Sequence, residues 1–242
     1  MSTISPERLA RVFVEVADTL VAEFDVIEFL QMVTTHTSDL VDARAAGLLL
    51  ADPAGRLQMM AASDERAEML ELFQAQAIEG PCQDAFRSGV PVVNVDLREA
   101  GHLWPQFAPR AVALGYHSVH AFPMRLRSEM VGALNLFSGE TGQIDQTDAQ
   151  MVQALADVAT IGLMQERAIR RGEVLAEQLQ SALNSRIVIE QAKGAVAQIH
   201  GGTPDEAFAR IRAFCRRHGL RLGEVALAVT NDPGRFPELT RP

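Results

Sequence analysis

From residue 147 to residue 203 the chain carries no proline, whereas seven of its 11 prolines precede that stretch. Proline ends or kinks helices, so a long proline-free run with apolar periodicity commits the backbone to extended helix. The 242 residues allow one large domain or one medium domain plus a small one. Thr147-Asp148-Ala149-Gln150 has the T-x-x-Q form of a capping box and predicts where the long helix starts. Ile161, Ala168, Leu175, Ala182 and Ile189 recur every seven residues, one seam of a coiled-coil pattern. The complementary seam contains Gln165, Gly172 and Arg186, too polar and too small for a long stable coiled coil. A connecting helix that leans on a partner fits better.

Before residue 147 the pattern is mixed. Leu9, Val12, Phe13, Val16 and Leu20 fall at helical spacing, and Ile27, Leu30, Val33 and Leu40 mark a second helix. Residues 45–51 and 56–62 read as strands around the turn Asp52-Pro53-Ala54-Gly55. Helical segments follow over residues 64–78 and up to about Ser88, then a strand over 91–96. A short helix after Trp104-Pro105 ends near Gly115, and strands at 117–125 and 130–137 are joined by a polar turn. Five strands with helices before, between and after them predict an α+β domain with a mostly antiparallel sheet.

After residue 184 the charge changes sign. Residues 1–184 carry a net charge of −12, and residues 185–242 a net +3. The surplus is modest, but it locates any polyanion binding at the C-terminal end. The chain has 21 arginines and one lysine, Lys193; either chance or a demand for a compact ammonium leaves it there. Thr203-Pro204-Asp205-Glu206 combines N-cap, proline at N1 and glutamate at N3, a strong helix start. That helix stops at Gly219, and a third covers about 222–230 before Asp232-Pro233-Gly234. Val188, Ala192, Ala195, Val196 and Ile199 form one apolar arc, while Arg186 and Lys193 align on another side, about 10 Å apart along the axis. In the next helix Ala207, Phe208, Ile211, Phe214 and Cys215 face inward, flanked by Arg210 and Arg217 on one side and Arg212 and Arg216 on the other. Pro237 and Pro242 leave the last residues without an expected fold.

Chemistry-bearing motifs are few. There is no phosphate-binding glycine loop, dinucleotide fingerprint or H-E-x-x-H. His117 and His120 lie three apart on a predicted strand, hence on opposite faces, so no metal site is expected. Cys82 stands near a helix start, which lowers a thiol pKa, but the reading of a small buried residue is favoured. Trp104 is read as a core anchor. The two cysteines, 82 and 215, fit a reducing compartment. Without a signal-peptide pattern or a bilayer-length apolar run, a cytoplasmic protein without membrane contact is expected. Neither a catalytic constellation nor a cofactor is expected.

Two resemblances organise these observations. Glu79-Gly80-Pro81-Cys82-Gln83-Asp84-Ala85, Ser88-Gly89-Val90-Pro91-Val92, Asp96, Trp104-Pro105, Pro123-Met124 and Val131-Gly132-Ala133-Leu134-Asn135-Leu136 resemble actinobacterial GAF domains in order and spacing. The resemblance implies an antiparallel sheet with helices on both sides, and a pocket for an unknown small molecule or a role in dimerisation. The N-K-x-F-D-E pattern of cyclic-nucleotide GAF domains is absent, so no binding residue carries over. Arg186, Ile189, Ala192-Lys193-Gly194, Asp205-Glu206-Ala207-Phe208, Ile211-Arg212, Leu222 and Val225-Ala226 resemble an ANTAR domain. That is a three-helix module that binds RNA hairpins and prevents transcription termination; Ala197-Gln198 and Cys215 depart from its usual pattern. The expected organisation is a GAF-type sensor at 1–165, a helical linker at 166–184 and a small three-helix ANTAR domain with a disordered tail at 185–242. The expected RNA-binding residues are Arg186, Lys193, Arg210, Arg212, Arg216 and Arg217, the partners RNA hairpins in nascent transcripts, and the assembly a homodimer.

Three rivals compete with that reading. A DNA-binding helix-turn-helix would need a reading helix with polar side chains, and residues 222–230 carry no basic residue and one acid. A cysteine-based reductase on the GAF fold would need a resolving cysteine, and Cys215 lies in the other domain. A pure dimerisation module is the third.

Overall fold

The computed structural model describes residues 4–20, 25–140, 143–232 and 234–241. Residues 1–3, where a signal-peptide pattern would begin, and Pro233 and Pro242 of the tail lie outside them. The chain divides into two compact units, residues 1–166 and 167–242.

The first unit is built on a five-stranded sheet. β1 (Ala45–Ala51), β2 (Leu57–Ala62), β3 (Val92–Asp96), β4 (Ser118–Leu126) and β5 (Glu129–Ser138) lie in the order β2-β1-β5-β4-β3. Every neighbouring pair is antiparallel. β1, β4 and β5 are buried along nearly their whole length because helices cover both faces. That is why Ala45–Ala51 is apolar throughout instead of alternating. On one face α1 (Pro6–Thr19), α2 (Val26–Leu40) and the start of α6 (Gln146–His200) pack Val16, Phe29, Leu30, Val152, Leu155 and Ala159 against Leu48, Phe122 and Leu134. On the other, α3 (Glu65–Ala77) and α5 (Phe107–Ala113) enclose Leu70, Trp104, Phe107, Tyr116 and Phe137, while α4 (Pro81–Ser88) packs Cys82 and Ala85 against Leu49, Ala121 and Ala133.

Local chemistry fixes the connections. Asp52 turns the first hairpin: its Oδ1 accepts from the backbone N–H of Ala54 at 2.8 Å and of Arg56 at 3.0 Å. Asn94 sits at φ 58° in a bulge of β3. Its backbone N–H donates to His120 Nδ1 at 2.9 Å, while its side chain exchanges hydrogen bonds with the Ile144 backbone. His120 thus serves the fold: burial depresses its pKa to about 4, and the ring accepts with a bare nitrogen. The long helix starts differently from expectation. Asp145, not Thr147, caps it, its Oδ1 accepting from Asp148 N at 2.9 Å, since an aspartate three residues ahead of a free N–H outcompetes the later threonine.

The second unit is helical. The C-terminal part of α6 packs with α7 (Pro204–His218) and α8 (Leu222–Asn231) around Ala192, Val196, Ile211, Phe214, Val225 and Val229. Thr203 and Glu206 form a complete capping box at the start of α7, and Gly219 at φ 65° ends it. The tail departs from the sequence expectation. α9 (Pro237–Thr240) buries Leu239 in this core, and Phe236 meets Phe214 edge-on at 5.2 Å. Aromatic and aliphatic burial of this kind offsets the entropy lost in ordering the tail.

Candidate nucleic-acid interface and the buried polar cluster

The six expected cationic residues all lie in the second unit, on α6 and α7. Arg186, Arg210, Arg212, Arg216 and Arg217 are exposed. Lys193 is not: its side chain is 14% exposed, with Nζ bonded to the Glu190 carboxylate at 3.0 Å. Arg217 faces Glu238 of the tail at 3.2 Å, and His218 stands 3.9 Å from the same carboxylate. Among the described residues no ion pair engages Arg186, Arg210, Arg212 or Arg216. Sequence reasoning grouped these residues by helical phase but missed Glu190 and Glu238 as their partners. Glu190 was legible at i, i+3 from Lys193; Glu238 was not, because only the docking of the tail brings it near.

α8 offers a nucleic acid little. It buries Val225, Ala226, Ala228 and Val229, and its charged side chain, Glu224, is acidic and exposed. Its work is packing.

The first unit holds a buried polar cluster between α3, α4 and the sheet. Glu71 is fully buried; Asn135 Nδ2 donates to its Oε1 at 2.8 Å and Gln74 Nε2 to its Oε2 at 2.6 Å. Burial raises the Glu71 pKa to about 8 against the opposing pull of these two hydrogen bonds, so the acid is held neutral at pH 7. Gln74 Oε1 in turn accepts from the backbone N–H of Cys82 at 2.9 Å. Two glycines make the space. A Cβ on Gly47 of β1 would overlap the Glu71 side chain, and one on Gly80 would overlap Gln74; Gly80 also stands at φ 131°, open to glycine and little else. Cys82, at the start of α4, is buried. Burial and the nearby Glu71 push its thiol pKa well up. The helix start does not win over desolvation, which bears out the reading of a small buried residue.

Glu79, Asp84 and Trp104 tie neighbouring elements together. Glu79 accepts from the backbone N–H groups of Gln106 at 2.7 Å and Phe107 at 2.9 Å, tying the start of α5 to the α3–α4 turn. The Trp104 indole N–H donates to Asp84 at 2.9 Å, and its ring meets Phe107 edge-on, the anchor the sequence predicted. Among the described residues no group of three or more His, Cys, Asp or Glu side chains forms a metal site, and no helix is long and apolar enough to cross a membrane.

Comparison with known proteins covers both units. Residues 25–164 match the model of the GAF domain, and residues 177–229 that of the ANTAR domain. No curated protein sequence matches the chain. Among solved structures, the GAF domain of an Acinetobacter phosphoenolpyruvate-protein phosphotransferase superposes with a TM-score of 0.55 at 14% identity, covering 70% of this chain and 98% of that one. Its counterpart from Coxiella burnetii gives 0.54 at 16% identity over 68% and 98% of the respective chains. The free methionine-R-sulfoxide reductase of Neisseria meningitidis, solved with its substrate, gives 0.53 at 17% identity over 70% and 97%. At these identities the likeness is one of fold.

Proposed function

Because the chain belongs to the GAF domain family and carries an ANTAR domain after it, we propose that the protein is a cytoplasmic, signal-responsive regulator that binds hairpins in nascent RNA and so prevents transcription termination. GAF and ANTAR domains are regulatory modules, and RNA binding follows from the ANTAR domain. The observation that carries the finer reading is the exposure of Arg186 on α6 and of Arg210, Arg212 and Arg216 on the two flanks of α7, all turned to solvent around a small core. Phosphate contacts need such side chains, and their number sets the salt dependence of binding. In this reading Arg186, Lys193, Arg210, Arg212, Arg216 and Arg217 contact RNA. The GAF domain takes an unidentified small molecule, and two copies of the chain associate through the exposed part of α6.

The rivals fit less well. A helix-turn-helix would read base edges with its second helix, and α8 spends its apolar face on the core. A reductase would need a reactive thiolate; Cys82 is buried with its pKa raised, and Cys215, also buried, belongs to the other unit. The test is a titration of the full-length protein against a pool of labelled RNA stem-loops with randomised loops, and against duplex DNA of equal stem length. Preference for the stem-loops at physiological salt is expected. Equal or tighter binding to the duplex overturns the reading.

A further inference from the structure

Phe208 departs from the inward arc that helical spacing assigns it. Its neighbours Ala207, Ile211, Phe214 and Cys215 are buried in the core of the second unit, whereas Phe208 is half-buried outside that cluster. Its ring instead carries two cations. Lys193 Nζ, from α6, lies 5.4 Å from the ring centroid, and the Arg212 guanidinium carbon, from α7, lies 5.6 Å from it. Both fall within the roughly 6 Å at which the negative face of an aromatic ring attracts a cation. Arg212 follows Phe208 by four residues, the spacing that makes neighbours on one helix face. Lys193 reaches the ring from the other helix and is fixed there, with 14% of its side chain exposed and its ammonium on Glu190.

Two like charges on separate helices repel, and nothing in a three-helix core requires them to meet over one ring. A ring that attracts both offsets part of that repulsion and concentrates positive charge where a phosphate backbone can meet it. We infer that Phe208 is a positioning residue for RNA: its ring seats Lys193 and Arg212 together, so that cations from two helices engage one stretch of phosphate backbone. The inference rests on the RNA-binding reading above and adds to it the residue that organises the contact. Glu190 already occupies the Lys193 ammonium, so phosphate there exchanges one anion for another. Arg212, free of that exchange, carries the larger share of the affinity.

Lys193 is the single lysine of the chain, which gives the test a clean probe. Reductive methylation of full-length protein with 13C-formaldehyde keeps the charge and labels Lys193 and the terminal amine alone. Without RNA, the Lys193 methyl resonance is expected at a ring-shifted position in wild type and Phe208→Tyr, and at an unshifted one in Phe208→Leu. With the stem-loop pool, Phe208→Leu is expected to bind roughly fivefold to tenfold more weakly. Its slope of log affinity against log salt should flatten by one to two phosphate contacts, about 0.7–0.9 each. Phe208→Tyr should restore both, and Arg212→Ala should cost more than Lys193→Ala. Melting curves by circular dichroism confirm folding, and Phe208→Met serves if the leucine variant fails to fold.

An unchanged Lys193 resonance in Phe208→Leu overturns the seat without reference to RNA. Wild-type affinity, or weakened binding with an unchanged salt slope, overturns the positioning role while RNA binding stands. Failure of the wild type to bind any stem-loop, with the resonance shift intact, overturns the functional reading and the RNA role of Phe208 with it.

Discussion

Glu71 shows how a single residue can contradict the pattern around it. α3 buries Ala67, Leu70, Glu71 and Gln74 while Met69 and Leu72 stand exposed, so polar and apolar positions are exchanged relative to an ordinary amphipathic helix. A carboxyl group there reads as solvated, and no spacing rule finds it. Its consequence is measurable. The folded pKa is raised from 4.5 to about 8, so the folded state holds the proton more tightly than the unfolded chain. The stability this group contributes is complete below about pH 4.5, declines as pH rises and is lost through about pH 8. The span corresponds to a few kcal/mol at most. Glu71→Gln, neutral at every pH, is expected to flatten that slope in melting temperatures measured across the window; a slope as steep as wild type would place the titration elsewhere. Among the described residues Asn135 Oδ1 has no partner, and a half-turn of that amide lets it accept from either the neutral acid or the new amide. Gly47→Ala is expected to destabilise by about 1–3 kcal/mol, because the added methyl overlaps the Glu71 side chain in a filled interior. Denaturant unfolding checks it, and a neutral result would mean that Glu71 moves freely.

At the scale of elements, α6 was the most legible feature and α7 the best delimited. Thr203, Pro204 and Glu206 announce the start of α7, and the capping box is present with Glu206 Oε2 accepting from Thr203 N at 2.7 Å. Thr203→Ala is expected to cost about 1 kcal/mol, visible as earlier melting of the second unit and faster amide exchange in the first turn of α7. In α6, Gly172 is exposed, with nothing among the described residues within 4 Å of an added Cβ. Glycine inside a helix costs about 1 kcal/mol relative to alanine, so Gly172→Ala should slow amide exchange around residue 172. If signal reaches the RNA site through this helix, the same change also shifts the basal RNA affinity of the full-length protein. Slower exchange with unaltered affinity would leave the helix a spacer.

For the whole molecule, the exposed apolar residues of α6 bear on assembly. Leu175, Leu179, Leu183 and Ile187 are each about half exposed or more and recur every four residues. The expected seam ran every seven, through residues that include Ile189, which packs against the core of the second unit. A row of this kind is costly to leave in water. Light scattering at micromolar concentration is expected to report a dimer for wild type and a monomer for Leu179→Asp; a monomeric wild type would refute the assembly. The sequence by itself determined the succession of the five strands and the main helices, the antiparallel character of the sheet, the proline-free helix and the two resemblances, because periodicity, caps and turn residues act over a few positions and survive without tertiary context. It also located the positive charge. Tertiary structure decided the neutral Glu71, the inert Cys82, the docked tail and the seating of Lys193 and Arg212 on Phe208. Except for Arg212, which meets Phe208 from one turn away on the same helix, these depend on residues from different elements meeting, and burial, not local pattern, sets the charge and partners of Glu71 and Cys82.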